Sequence, residues 1–151
     1  MKASDIVQAL VADFETNDIA KAAELLADDF VFSGVAPQPI GKAEFLAMER
    51  AVHQAFPDWK YNQRVVEELG DRVKVVVQNT GTHSGVLDLS EMGLPVPPIA
   101  PTGTKLNMPV EPVQYYLRDG KIYEMQAAPT PGGGVPGMLQ QIGVNLPTPA
   151  H

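Results

Sequence analysis

The side chains able to do chemistry in this sequence are carboxylates, tyrosines and three histidines, because the chain has no cysteine. A thiolate nucleophile, a disulfide and a cysteine-ligated zinc or iron–sulfur site are therefore excluded. His53 lies in a predicted helix, His83 ends a predicted strand and His151 is the last residue, so none forms the paired spacing typical of metal ligands. We therefore expect no metal site.

Two glycine-containing segments look like catalytic motifs but lack the required context. Residues 132–137 read as G-x-G-x-x-G after a predicted strand, but Pro136 interrupts them and no second parallel strand or ribose-binding acid follows. We interpret this segment as a loop. Residues 81–85 contain Ser84 without the G-x-S-x-G spacing of a hydrolase elbow. Neither a dinucleotide site nor a serine hydrolase site is expected.

Length and charge restrict the class of protein. The chain has 151 residues, the usual size of one domain, and we expect a single domain over residues 1–151. A net charge of −7 repels phosphate backbones and anionic lipids, so nucleic acid and membrane surfaces are unexpected partners. Residues 1–30 have no pattern of a signal peptide, and no apolar run is long enough to span a membrane. We expect a cytoplasmic protein.

Helical patterns dominate the first part of the chain. Ser4 is placed to cap a helix with an apolar stripe, and Asp18 to cap a short second helix that ends at Asp28-Asp29. A short strand is predicted at 30–32. A third helix is predicted over 42–56, where Pro57 stops it. One side of that helix carries Phe45, Glu49, Val52 and Phe56.

The rest of the chain predicts antiparallel strands. They cover residues 59–68, 73–78, 105–117 and 121–127, with turns at Gly70-Asp71 and Asp119-Gly120. Prolines in 90–103 predict an ordered flap or rim, and a short helical turn follows at 138–142. Helices packed on a bent sheet define an α+β fold that encloses a pocket. Apolar residues such as Val76 and Tyr116 on the outer sheet face predict a homodimer through that face.

Several segments, taken in order, resemble the SnoaL-like polyketide cyclases, also called ester cyclases, of the nuclear transport factor 2-like superfamily. They are Leu-Leu-Ala-Asp-Asp-Phe-Val at 25–31, Ala-Phe-Pro-Asp at 55–58, Gly-Thr-His-Ser-Gly at 81–85, Pro-Thr-Gly at 101–103, Asp-Gly-Lys-Ile at 119–122 with Glu124, and 137–143. The resemblance implies a cone-shaped, cystatin-like domain, usually dimeric. It also implies an intramolecular aldol condensation without metal or organic cofactor.

The resemblance also locates the chemistry. The characterised cyclases carry a His-Trp-Asp run after the glutamate of the last strand, and its aspartate is the base. Here Met125 and Ala127 occupy the histidine and aspartate positions, while Glu111 and Val113 match polar pocket positions on the preceding strand. Inside an apolar cavity the charged form of Glu111 is disfavoured, which raises the pKa of its carboxyl toward a range useful for a base. At a wet rim between Pro109 and Pro112 it would be an ordinary carboxylate.

The remaining candidates are secondary. His83 is placed to present an imidazole at the cavity mouth or to make a structural hydrogen bond. Residues expected to line the pocket are Phe32, Trp59, Tyr61, Met108, Val113, Tyr115, Met125 and Ala127. Ordinary core packing also explains each of them.

Two functions follow from these residues. The first is a cofactor-independent cyclase or isomerase acting on a small hydrophobic carbonyl or polyketide-like compound, with Glu111 as the base and His83 or Tyr61 assisting. The second is a protein that binds such a compound without transforming it, because the family's aspartate is absent. A purely structural role has no motif in its favour.

Overall fold

The structure is a computed structural model that describes residues 2–34, 38–90 and 96–144. Four helices and a curved, open sheet make up this part of the chain, which confirms the predicted α+β class. No helix in the described ranges is long and apolar enough to cross a membrane.

The first helix starts two residues earlier than predicted. Helix α1 spans Ala3–Glu15, and Lys2 is its N-cap residue. Ser4 is not the cap, because it already lies inside the helix and bonds Glu68 through both its backbone N–H and its hydroxyl. The apolar stripe of α1 is buried as predicted, and it includes Ile6, Leu10 and Phe14.

The second helix is shorter than predicted and the strand after it is longer. Helix α2 spans Ile19–Glu24, and the Asp18 side chain caps it by accepting from the Lys21 N–H. Strand β1 then spans Leu26–Ser33, so Asp28-Asp29 lies within a strand and does not end the helix. The exposed Asp29 carboxylate accepts hydrogen bonds from Arg118 through both of its oxygens. The two residues come from strands that are not adjacent in the sheet.

A six-stranded sheet forms the centre of the fold, in the order β2-β1-β8-β7-β4-β3. Its other strands and the third helix are β2 (Ile40–Gly41), α3 (Lys42–Ala55), β3 (Arg64–Leu69), β4 (Arg72–Val77), β7 (Glu111–Arg118) and β8 (Lys121–Ala127). Both predicted turns join antiparallel pairs, β3 to β4 and β7 to β8. Strands β1 and β8 pair in parallel, a long-range contact that local patterns do not reveal.

The single strand predicted over 105–117 is two strands in two different sheets. Strand β6 (Lys105–Asn107) pairs with β5 (Thr80–Thr82), whereas β7 pairs with β4 and β8. Pro109 explains the break, because proline has no N–H to donate to a continuous ladder. The chain therefore changes direction before Glu111, which is the first residue of β7.

The proline-rich segment is ordered over the part that the structure describes. Residues 91–95 of the predicted flap lie outside the described ranges. Ile99 exchanges two backbone hydrogen bonds with Leu87, and the Gly103 N–H donates to the His83 carbonyl. Helix α4 spans Gly134–Gln141, so it begins earlier than the predicted turn and includes part of the segment interpreted as a loop. Pro136 fits there because the N–H groups of a first helical turn have no intrahelical partner.

Two apolar clusters fill the interior. The first packs α1 and the first half of α3 on the inner faces of β1, β4, β7 and β8. The second joins the end of α3 to α4, β6 and the residues around Leu87 and Leu89. Tyr61, in the connection between α3 and β3, packs against both clusters.

The outer face of the sheet is more polar than the inner face. Tyr116 lies near Tyr123 and bonds Gln114 and Gln126, and Arg118 stacks over the Tyr123 ring. The homodimer expected through this face stays a prediction.

We predict that Gly34→Ala strongly destabilises the fold. Gly34 follows β1 with a φ of 95°, and a Cβ there would collide with the Ala127 carbonyl at the end of β8. The expected loss is about 3 kcal/mol in urea unfolding, since a steric clash is added to an unfavourable φ. Gly120→Ala is the control, because its φ is also positive while its Cβ would meet no atom within 4 Å. A loss no larger than that of the control would contradict the close packing of these strand ends.

Candidate functional site

A cavity of about 150 Å³ lies where the two apolar clusters meet. Its wall is built from α1, α3, α4, the inner faces of β1, β4, β7 and β8, and the loops around Trp59, Asn79 and Met108. Apolar residues make up most of the wall: Leu10, Val11, Phe14, Phe32, Phe45, Met48, Val52, Val77, Met108, Val113, Met125, Ala127, Val135 and Met138. Glu49, Trp59, Tyr61, Asn79, Glu111, Gly134 and Tyr115 complete it.

The structure places the residues selected from the sequence together, with one exception. All eight residues expected to line the pocket are in the wall of this cavity: Phe32, Trp59, Tyr61, Met108, Val113, Tyr115, Met125 and Ala127. Glu111 is also in the wall, and His83 is not. The cross-strand pairs Tyr115–Met125 and Val113–Ala127 explain this grouping, because paired residues point to the same side of the sheet.

Glu111 lies half-buried where β7 begins, facing the first turn of α4. One carboxylate oxygen accepts a hydrogen bond from the Gly134 N–H at 3.0 Å. Burial raises the pKa of the Glu111 carboxyl, and the hydrogen bond from Gly134 opposes that rise. Gly133 leaves space for the carboxylate, because a Cβ at that position would collide with it. The carboxyl is therefore a cavity group held by the start of a helix.

A second carboxylate, Glu49, lines the cavity from α3. It is 8% exposed and accepts a short hydrogen bond from the Tyr61 hydroxyl. His53, one helical turn further along α3, lies 2.9 Å from the same hydroxyl through Nε2. Since the Tyr61 hydroxyl has one proton and gives it to Glu49, His53 donates its Nε2–H to the tyrosine oxygen. Burial, and secondly the nearby Glu49 charge, hold the pKa of Tyr61 well above its ordinary value.

The positions that carry histidine and aspartate in the resembling cyclases are apolar here. Met125 and Ala127 both face the cavity from β8. The Tyr115 hydroxyl bonds Gln63 at 3.2 Å, and burial raises the pKa of that hydroxyl. Of the carboxylates in the described ranges, only Glu49 and Glu111 line this cavity.

Of the two roles considered for His83, the structure shows the structural hydrogen bond and does not place the residue in the cavity wall. It is completely buried in the second cluster, where its ring packs 5.2 Å from that of Phe56. Its Nδ1 lies 2.9 Å from the Thr102 hydroxyl, and its backbone carbonyl accepts from Gly103. Burial lowers the pKa of the imidazole. The ring ties residues 102–104 to β5, which leaves it no access to a ligand in the cavity.

Sequence reasoning did not select Glu49 or Asn79 as site residues. Glu49 had a usable signal, because it lies on the same side of α3 as Phe45 and Val52, and a charged residue on an apolar stripe is buried with a partner. Asn79 had none, since it lies in a short connection between β4 and β5.

No group of three or more His, Cys, Asp or Glu side chains able to hold a metal ion occurs in residues 2–34, 38–90 and 96–144. The arrangement instead offers two carboxylates in an apolar enclosure. Of the two, Glu49 is occupied by Tyr61, and Glu111 accepts only a backbone N–H among its described contacts.

The curved sheet and the packed helices surround an apolar cavity, and this fold is shared with a cystatin-fold protein of known structure. The model of the SnoaL-like domain matches residues 7–125, and the chain belongs to the SnoaL-like family. No curated protein matches the sequence.

Solved structures support this assignment. IdmH from Streptomyces antibioticus, a putative polyketide cyclase, is 26% identical over 95% of this chain and 100% of its own, with a TM-score of 0.69. A putative polyketide cyclase from Pseudomonas putida KT2440 is 20% identical over 93% of this chain and 98% of its own, with a TM-score of 0.70. An uncharacterized cystatin fold protein from Novosphingobium aromaticivorans is 15% identical over 85% of this chain and 99% of its own, with a TM-score of 0.61.

We predict that Glu111→Gln stabilises the protein at neutral pH. Below the ordinary glutamate range both the folded and the unfolded chains hold the proton, so the substitution has its smallest effect there. As the pH rises, the unfolded chain releases its proton first, because the folded pKa is raised, and the wild type loses stability relative to the variant. Gln still accepts from the Gly134 N–H. Thermal unfolding of both proteins from pH 4 to 8 measures this, and a difference independent of pH would contradict a raised pKa.

We predict that Tyr61→Phe destabilises the fold by about 2 kcal/mol, because it leaves the buried Glu49 carboxylate without its donor. Tyr115→Phe is the matched control. It removes a hydroxyl bonded to the neutral Gln63, for which about 1 kcal/mol is expected. Urea unfolding compares the two variants, and equal losses would argue against a strong Tyr61–Glu49 bond.

Proposed function

We propose that this protein is a cofactor-independent enzyme, of the cyclase or isomerase type, that removes a proton next to the carbonyl of a small hydrophobic or polyketide-like compound. The observation that carries the proposal is the position of Glu111, a carboxylate with a raised pKa in the wall of an otherwise apolar cavity. A base works best when its pKa lies near the working pH, and burial moves Glu111 in that direction.

In the proposed reaction the Glu111 carboxylate takes the proton from the carbon next to the carbonyl. The electron pair of the C–H bond passes to the carbonyl, which becomes an enolate. In a cyclase the enolate carbon forms a C–C bond with a second carbonyl of the same compound, and the resulting alkoxide takes the proton back from Glu111. In an isomerase the proton returns to a different carbon. Both routes balance without an oxidant or reductant.

The neighbouring side chains define what else takes part. The Tyr61 hydroxyl is engaged with Glu49 and His53, so we assign it no proton transfer. His83 is outside the cavity and is also left out. Glu111 would therefore act alone as the base, with the Gly134 N–H fixing the position of one carboxylate oxygen.

The names of similar structures support this class of reaction, since IdmH and the Pseudomonas putida protein are both called putative polyketide cyclases. From the sequence and its resemblance to the ester cyclases, we also propose that the protein is cytoplasmic and forms a homodimer through the outer sheet face. Nucleic acid and membranes remain unexpected partners because the chain is acidic.

A second candidate function is binding without catalysis. It is favoured by Met125 and Ala127, which line the cavity where the resembling cyclases carry a histidine and their aspartate base. In that case Glu111 would serve only to hold the start of α4.

We predict that the protein accelerates hydrogen exchange at a carbon next to a carbonyl. Phenylacetone, a one-ring ketone with activated C–H bonds, is incubated with the protein in D₂O, and deuterium incorporation is followed by NMR. The wild type should exceed the uncatalysed rate, and Glu111→Gln should reduce the excess at least 100-fold, because an amide cannot accept the proton. The wild-type rate should increase with pH with a midpoint above the ordinary glutamate pKa.

Glu124→Gln is the control for this experiment, because Glu124 lies on β8 outside the cavity wall. Equal exchange by wild type and Glu111→Gln would remove Glu111 as the base. Phenylacetone binding without any exchange above background would favour the second candidate function.

A further inference from the structure

Two buried polar atoms in residues that line the cavity have no hydrogen-bond partner among the described residues. They are Nε1 of Trp59 and Oδ1 of Asn79. Leaving a buried donor or acceptor unpaired destabilises the folded protein, so such groups require an explanation. A third such atom, Nε2 of His83, belongs to a residue outside the cavity wall, whereas Trp59 and Asn79 both line one cavity, which favours a ligand as their partner.

The other polar side chains of the wall already have partners. The Tyr61 hydroxyl donates to Glu49, the Tyr115 hydroxyl donates to Gln63, and Glu111 accepts from the Gly134 N–H. The Trp59 N–H is therefore a donor in the described wall that is not used within the protein, and Asn79 Oδ1 is the matching acceptor.

Trp59 is held in place independently of any ligand. Its backbone N–H donates to the Phe56 carbonyl, and its ring packs edge-on against the rings of Phe56 and Tyr61. Gly81 lies so close to the indole that a Cβ there would be 3.3 Å from it. Asn79 is fixed through its backbone, because its carbonyl accepts from the Met108 N–H at 2.9 Å. Fixed donors and acceptors lose little freedom when they bind a ligand, which favours a role in specificity.

The charge of the wall adds a further restriction. Glu49 and Glu111 line the cavity, and no Lys, Arg or His does so in the ranges that the structure covers. A ligand anion would meet carboxylates and no cation, so an uncharged ligand is favoured.

We propose that Trp59 and Asn79 are the specificity-determining pair of this cavity. The indole N–H donates to a carbonyl oxygen of the ligand, and the Asn79 amide oxygen accepts from a ligand hydroxyl. The ligand is thus an uncharged compound that carries both groups on an apolar frame. This inference rests on the proposed function for the presence of a carbonyl group in the ligand. It adds a ligand hydroxyl group and names Trp59 and Asn79 as the residues that bind the two groups.

Aromatic probes that differ by one group test the pair by isothermal titration calorimetry. Acetophenone has only the carbonyl, 4-ethylphenol only the hydroxyl, 3- and 4-hydroxyacetophenone both, and ethylbenzene neither. A single ring suits the volume, since apolar cavities of about 150 Å³ bind benzene. The charged probe is 4-hydroxybenzoate, which should bind more weakly than either hydroxyacetophenone.

Each variant should affect only the probes that carry its group. Trp59→Phe keeps an aromatic ring without the N–H. It should weaken the binding of acetophenone about fivefold, which is the typical effect of losing one hydrogen bond, and leave the binding of ethylbenzene unchanged. Asn79→Leu should weaken the binding of 4-ethylphenol by a similar factor and leave the affinity for acetophenone unchanged. Each of these two variants should weaken the binding of at least one of the two hydroxyacetophenones. Tyr116→Phe, on the outer sheet face, should change none of these affinities.

The outcomes separate this inference from the proposed function. If the probes bind but each variant lowers the affinity for all of them equally, or for none of them, the assignment of Trp59 and Asn79 as the specificity pair is wrong. The proposal that Glu111 catalyses exchange is not affected by that result. If no probe binds the wild type, both the pair and a cavity for small carbonyl compounds are contradicted. If Glu111→Gln abolishes exchange and leaves group-specific binding intact, the base and the recognition pair are separate parts of one site.

Discussion

The hydrogen bond from Tyr61 to Glu49 is the interaction on which the cavity depends. Glu49 is a charged residue on the apolar side of α3, and its burial is tolerated because the Tyr61 hydroxyl donates to it. Tyr61 is itself fixed at three further points: its N–H donates to Glu15, its carbonyl accepts from Gln78, and its ring contacts both apolar clusters. The bond therefore links α1, α3 and the sheet at one wall of the cavity.

The two carboxylates in the cavity wall, Glu49 and Glu111, have different roles. Glu49 is bound tightly by side chains, which makes it part of the framework. Glu111 is held by one backbone N–H and stays half-buried, so its proton equilibrium is set mainly by the cavity. A histidine and an aspartate on β8 would supply acid–base groups from the opposite strand. With Met125 and Ala127 there, the polar groups of the wall come from other elements, among them Glu111, Trp59 and Asn79.

Local patterns in the sequence were sufficient for the α+β class, the third helix and both tight turns, because helical spacing and Asp-Gly or Gly-Asp pairs act over a few residues. Local patterns did not predict the features of the fold that are determined by contacts between residues far apart in the sequence. The parallel pairing of β1 with β8, and the division of 105–117 between two sheets, depend on contacts far along the chain. Glu111 and the pocket residues were selected through alternation on strands and the family resemblance. The sequence left two roles open for His83, because its partner Thr102 lies in a segment without a regular pattern.

The parallel pairing of β1 with β8 also has a consequence for synthesis on the ribosome. Phe32 on β1 finds its neighbour Met125 on β8 only after almost the entire described chain has been made. Until then β1 has only the two-residue β2 beside it in the sheet, and its other edge has no partner strand. Contacts between distant residues slow folding, and uncovered strand edges promote association between chains. The nascent protein therefore depends on remaining soluble until its last strand has emerged, a period in which the many charges of its acidic first half keep neighbouring chains apart.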